Sequence, residues 1–171
     1  MHMFAKEQPD LNWANPEIRQ DFIKTIRFWC DRGVDGFRVD VAHSLIKDLE
    51  GELPGRDSYD LAAMKNDGTD RLLDRDEVHD VYRSWRMVFN EYDPPRIGVA
   101  EAWVHANRRP AYASPEGLGQ AFNFDLLVQP FSRKRFFSTI DENLKAAARE
   151  GSSTTWVLSN HDNIRHATRY G

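Results

Sequence analysis

Four short apolar runs, at residues 36–41, 97–101, 120–126 and 154–158, alternate with helical patterns, and that alternation constrains the chain more than any other feature. The first run, Gly36-Phe37-Arg38-Val39-Asp40-Val41, puts Phe37, Val39 and Val41 on one face and Arg38 and Asp40 on the other. The second, Ile97-Gly98-Val99-Ala100-Glu101, is nearly continuous, as in strands buried on both faces. Between and before them lie helices. Asn15-Pro16-Glu17 is a helix start, and Ile18, Phe22, Ile26 and Trp29 recur on its inner face until Gly33. Asp74-x-x-Glu77 reads as a capping box for a helix with a stripe of Val78, Val81, Tyr82, Trp85, Val88, Phe89 and Tyr92, stopped by Asp93-Pro94-Pro95. A third helix is predicted over 133–149, with Phe136, Phe137, Ile140 and Leu144 inward. Residues 43–73, rich in polar residues and carrying Gly51, Pro54, Gly55 and Gly68, read as a long excursion with one short helix.

Strands alternating with helices imply parallel strands joined by crossovers, in a barrel or a doubly wound sheet. Both architectures place chemistry at the carboxyl ends of the strands. The polar residues gather there: Asp40, Glu101, Asn123 with Asp125, and His161-Asp162. Asp40, Glu101 and Asp162 are separated by about 60 residues each, one or two crossover units, so neighbouring strands can bring them to one rim. A pair of carboxylates is what glycoside cleavage needs, one attacking the anomeric carbon and one protonating the leaving oxygen. Arg38 shares the face of Asp40 and favours a charged nucleophile, whereas Glu101 ends an apolar run suited to an acid. Taken singly, such acids are more often solvated or loop-capping residues; Arg38 with Asp40 fits a structural ion pair, and Trp103 and Phe124 fit plain packing. Only the coincidence at consecutive strand ends favours catalysis.

Composition narrows the partners. Among 171 residues, 23 basic side chains are interspersed with 27 acidic ones for a net charge of -4, without a basic run, which excludes nucleic acid and anionic membrane and leaves a small polar substrate. No stretch reaches the roughly 20 apolar residues of a membrane span. The single cysteine, Cys30, sits on the apolar side of the first helix and reads as a core residue in a reducing, cytoplasmic setting. A metal site built on His161, His166 and Asp162 has no supporting His or Cys motif, so no metal or other cofactor is expected.

Residues 36–43, Gly-Phe-Arg-Val-Asp-Val-Ala-His, resemble the nucleophile motif of the α-amylase superfamily, glycoside hydrolase family 13. Gly98-Val99-Ala100-Glu101-Ala102-Trp103 resembles its acid/base motif, and Leu158-Ser159-Asn160-His161-Asp162 its stabiliser motif, in the same order. The resemblance implies Asp40 as nucleophile, Glu101 as general acid/base and Asp162 as third carboxylate, with Arg38, His161, Trp103, Phe124 and Arg165 binding substrate. Gln8-Pro9-Asp10-Leu11-Asn12 is similar to the motif that marks the α-glucosidase and oligo-1,6-glucosidase branch, and residues 119–125 to that branch's sixth strand. Val41 falls where the family tunes linkage, Val accompanying α-1,6 preference. His43-Ser44 stand where amylases carry Lys-His, so an amylase-type polymer-binding role is not implied for them.

The family's first motif, an Asp on strand three with an Asn-His pair, has no counterpart. The resemblance therefore implies a partial (β/α)8 barrel, roughly strands four to seven, as the central part of a catalytic domain over residues 1–171, with Met1-His2-Met3 reading as a cloning scar. The implied activity is that of a retaining α-glucosidase acting on small oligosaccharides, the alternatives being a transglycosylating relative such as trehalose synthase or a non-catalytic sugar-binding relative. Open sheet edges would leave the isolated fragment prone to self-association, and without the first motif's hydrogen bonds to the sugar it is expected to be inactive or very weak.

Overall fold

A computed structural model describes residues 1–53 and 64–171 of the chain. Its strands are β1 (Gly36–Val39), β2 (Ile97–Ala100), β3 (Gly119–Asn123) and β4 (Thr155–Trp156), hydrogen-bonded in the order β1-β2-β3-β4. All pairings are parallel, with Val39 opposite Ala100 and Ala100 opposite Ala121. That register matters for function: Asp40 and Glu101 each follow one member of the Val39/Ala100 pair, so they leave adjacent strands at one level. Close approach is demanded where the two strands begin, since a Cβ on Gly36 would lie 2.6 Å from the Ile97 carbonyl oxygen.

The first two helices pack on each other through their apolar faces. Helix α1 (Pro16–Cys30) starts at Asn15, whose Oδ1 accepts from the Glu17 N–H at 2.9 Å, and it buries Ile26 and Cys30. Helix α2 (Val78–Phe89) buries Val78, Val81, Tyr82, Trp85, Val88 and Phe89. Phe22 of α1 stacks on Trp85 at 5.9 Å between ring centroids, and Phe37 of β1 on Phe89 at 6.0 Å. Full burial of one such side chain stabilises by about 1.5–3 kcal/mol, so this α1–α2–β1 layer anchors the sheet. The chain continues through α3 (Arg109–Tyr112), α4 (Arg133–Arg149) and α5 (His166–Tyr170). Among the described residues, no helix is long and apolar enough to cross a membrane.

Several expectations from the sequence are corrected. Asp74 and Glu77 form no capping box: α2 begins after Glu77 without a side-chain cap, and Asp74 is fully buried in a left-handed conformation, φ 48°, bonded elsewhere. Tyr92 lies beyond α2 and bonds Asp31 through its hydroxyl at 2.8 Å. Trp29 is half exposed rather than inward, against Phe28 and beside the free edge of β1. Strand β2 is not buried on both faces throughout, since Ile97 is exposed. Phe137 and Leu144 point outward, and α4 instead buries Thr139 and Ala147. Of the excursion after β1, the described part holds only a 3-10 turn, Ala42–Ser44, and residues 54–63, including Pro54 and Gly55, lie outside the described residues.

Candidate active site

At the carboxyl ends of β1 and β2 the backbone brings an acid and an amide face to face. Val41 turns out of the strand direction into the left-handed region, φ 43° and ψ 47°, a conformation that costs a β-branched residue of order 1–3 kcal/mol and persists only where its surroundings hold it. They do: the Val41 carbonyl accepts from the Ser44 N–H at 2.9 Å and from Ser44 Oγ at 3.1 Å. The Val41 N–H then donates to Glu101 Oε2 at 2.8 Å, and the Ala42 N–H to the Glu101 carbonyl at 2.8 Å. Glu101 is 6 % exposed, so its carboxylate meets these backbone groups rather than bulk water.

Asp40 sits in a different setting. Its carboxylate is exposed and accepts from Arg38 Nη1 at 2.6 Å, the geometry of a strong charge-assisted bond that fixes its rotamer. The sequence-predicted residues Arg38, Asp40, Glu101, Trp103, His161 and Asp162 all line one cleft of about 810 Å3, within the roughly 300–1,000 Å3 of small-molecule sites. His161 Nε2 lies 3.4 Å from Asp162 Oδ2 at the cleft mouth. The Asp162 N–H and Asn163 Nδ2 both donate to Asn160 Oδ1, at 3.1 and 2.8 Å, which shapes the turn after β4.

Two predicted residues fall outside the lining. Phe124 is buried and stacks under Trp103 at 4.2 Å with the planes 10° apart, so it supports the wall rather than forming it. Arg165 is exposed at the start of α5, where its carbonyl accepts from the Arg169 and Thr168 N–H groups, and it does not line the cleft. His166 bonds Ser159 Oγ through Nδ1 at 2.7 Å, away from His161 and Asp162. Asn123 and Asp125 are likewise structural. Arg109 clamps Asp125 through both terminal nitrogens, at 2.6 and 3.0 Å, and Asn123 and Arg109 both donate to Asn143 Oδ1 at 2.8 Å.

Sequence reasoning missed the cleft's inner wall. Leu72 and Leu73 line it with His43, which is 4 % exposed and whose Nδ1 has no partner among the described residues. Burial pulls the His43 imidazole down to about 4, against the opposing pull of Asp74, so the ring is neutral. The signal was present in the 3-10 turn residue beside Asp40, but its burial depends on Leu72-Leu73 returning over it from 30 residues away. Gln8 of the Gln8–Asn12 segment also lines the cleft, and Asp10 in that segment pairs with Lys47 at 3.5 Å, a lysine whose pKa is lowered by burial.

A parallel α/β sheet with acids gathered at its carboxyl rim defines the class of α/β scaffolds that carry their site at the strand ends. The chain belongs to the α-amylase family: the family's catalytic-domain pattern, Alpha amylase, catalytic domain, matches residues 1–171. It is 33 % identical to a salivary alpha-glucosidase of Anopheles gambiae and 30 % identical to an oligo-1,6-glucosidase of Parageobacillus thermoglucosidasius, in each case over the whole of this chain and 32 % of the relative. Among solved structures it matches an alpha-glucosyl transfer enzyme with a TM-score of 0.80 at 25 % identity, covering all of this chain and 34 % of the other. A trehalulose synthase matches with a TM-score of 0.76 at 27 % identity, over 32 % of its length. The chain thus spans about a third of the length of the relatives it matches, and its four strands are part of a (β/α)8 barrel, roughly strands four to seven.

Proposed function

We propose that this chain is the central part of the catalytic domain of a longer retaining α-glucosidase acting on small α-glucosides. The observation that carries the reading is the convergence of Asp40, Glu101 and Asp162 on one cleft. Asp40, oriented by Arg38, attacks the anomeric carbon while Glu101 passes its proton to the departing glycosidic oxygen, and the C–O bond breaks. Glu101 then takes a proton from water, which attacks the same carbon and frees Asp40. Asp162 stabilises the positive charge that develops on the ring, and His161 and Trp103 hold the sugar. The intact trio disfavours a non-catalytic sugar-binding protein.

A transglycosylating enzyme is the second reading, favoured by the likeness to the alpha-glucosyl transfer enzyme and the trehalulose synthase. It uses the same residues, with a sugar hydroxyl replacing water in the second step. Val41 after the nucleophile goes with α-1,6 preference, and a lone buried Cys30 goes with the cytoplasm. For the isolated 171 residues we propose little activity and self-association, because Phe131, Phe137 and Ile164 are exposed and an open groove of about 590 Å3 runs beside β1. Light scattering tests that; a monodisperse monomer contradicts it.

The decisive experiment assays the full-length protein on maltose, isomaltose and p-nitrophenyl α-glucoside, with Asp40→Asn and Glu101→Gln as variants. A loss of at least about a hundredfold in kcat/KM on both disaccharides is expected for each variant, and wild-type rates in either would overturn its assigned role.

A further inference from the structure

We infer that Val41 is a positioning residue for Glu101: its main-chain N–H, at the turn that leaves β1, meets the Glu101 carboxylate and so fixes the direction from which the proton is delivered. The inference rests on the acid/base role proposed for Glu101 and deepens it. An extended strand sends successive N–H groups to opposite sides. Had β1 continued in that form, the amides of Val41 and Ala42 would have diverged. Both instead reach Glu101, one at Oε2 and the other at the carbonyl, each at 2.8 Å, because the chain turns at Val41 with φ 43°. The Glu101 N–H in turn donates to the Val39 carbonyl at 2.9 Å, so the acid is gripped by Val39, Val41 and Ala42 at the neighbouring strand end.

The choice of residue makes this more than packing. A valine is among the side chains least suited to a positive φ, and Ser44 holds the turn from the other side through two bonds to the Val41 carbonyl. A glutamate carboxylate on its own rotates about three bonds. With Oε2 pinned by an amide in a site 6 % exposed, Oε1 is the oxygen left for the proton that crosses to the glycosidic bond. Rotation of Glu101 away from this amide would bury a carboxylate oxygen without a donor, which keeps the acid in one rotamer.

The test removes the donor alone. In the full-length protein Val41 is replaced by its α-hydroxy analogue, 2-hydroxy-3-methylbutanoic acid, which turns the amide into an ester of the same shape. Maltose needs a proton on its leaving oxygen, whereas 2,4-dinitrophenyl α-glucoside does not. The ester is expected to lower kcat/KM on maltose by about tenfold or more and on the dinitrophenyl substrate by less than about twofold, while Val41→Gly, which keeps the N–H, preserves the wild-type ratio of the two substrates. Equal losses on both substrates, or no loss, overturn the inference. Glu101→Gln, run alongside, separates the two ideas: if it fails to discriminate between the substrates, the acid/base role itself is wrong, and if it discriminates while the ester does not, only the role of Val41 falls. Should the ester variant not fold, protein labelled with 15N-valine supplies a second measurement. The Val41 amide proton, assigned by its loss in Val41→Leu, is expected downfield and to move upfield in Glu101→Gln; an unchanged shift overturns the inference.

Discussion

Arg38 Nη1, on β1, donates at 2.6 Å to Oδ1 of Asp40, the residue just past the strand end, with the carboxylate 72 % exposed. An exposed pair adds only about 0–1 kcal/mol to stability, so the contact serves orientation more than folding. Arg38→Met is expected to leave the urea midpoint of the chain almost unchanged. In the full-length protein it should lower kcat/KM on α-glucosides by tenfold or more, about 1.4 kcal/mol in the barrier. A large loss of stability with activity retained would reverse that assignment.

A buried pair behaves differently. Arg108 Nε donates to Asp74 Oδ2 at 2.8 Å, Tyr112 Oη donates to Asp74 Oδ1 at 2.7 Å, and the Asp74 side chain has no exposure. Arg108→Met leaves a buried carboxylate without its cation and should destabilise by about 3–5 kcal/mol in urea unfolding. Arg27→Met, which breaks the exposed pair with Glu91 at 2.8 Å, should change stability by less than about 1 kcal/mol. Similar effects for both would show that burial does not set the difference.

His43 gives the chain an acid-sensitive step. Its imidazole titrates at about 4 when folded and near 6.5 when unfolded. Between those values the unfolded chain binds a proton that the folded chain refuses, so the stability present above pH 6.5 is lost progressively as the pH falls toward 4 and no further below it. The loss amounts to about 3 kcal/mol. Unfolding by urea at pH 7 and pH 4.5 measures it, and His43→Gln should flatten this part of the profile; an unchanged slope would place the sensitivity elsewhere.

The Trp103–Phe124 stack, 4.2 Å between ring centroids, stands between the β3 end and the cleft. Phe124→Leu keeps apolar volume but removes the stack, which is worth about 0.5–1.5 kcal/mol. KM for maltose in the full-length protein is expected to rise about two- to twelvefold with kcat little changed. A drop confined to kcat would mean that the stack orients the reacting groups instead.

How much was legible in the sequence depends on the range of the interaction that decides each feature. The Asn15 cap and the α2 stripe are local, and both are where the residue pattern puts them. The inner face of α4 is not. Aromatic spacing picked out Phe137 and Leu144, but Asn143 is drawn inward by Arg109 and Asn123, which sets Thr139, Asn143 and Ala147 toward the protein. Asp74 was similarly misread, because Arg108 and Tyr112 lie more than 30 residues away and outcompete a cap. Phe124 and Arg165 lie next to the strand-end and loop residues of the cleft in sequence without lining it, Phe124 being taken up by its stack on Trp103 and Arg165 standing at the start of α5.

What the chain settles by its own pattern is the order of strands and helices and the acids that close the strands, because periodicity and capping act within a few residues. Which of those acids share a hollow, and that an amide of Val41 faces Glu101, was decided only in three dimensions. Hydrogen-bond register between β1 and β2, Val39 against Ala100, joins residues 61 apart, and no short-range preference encodes such a pairing.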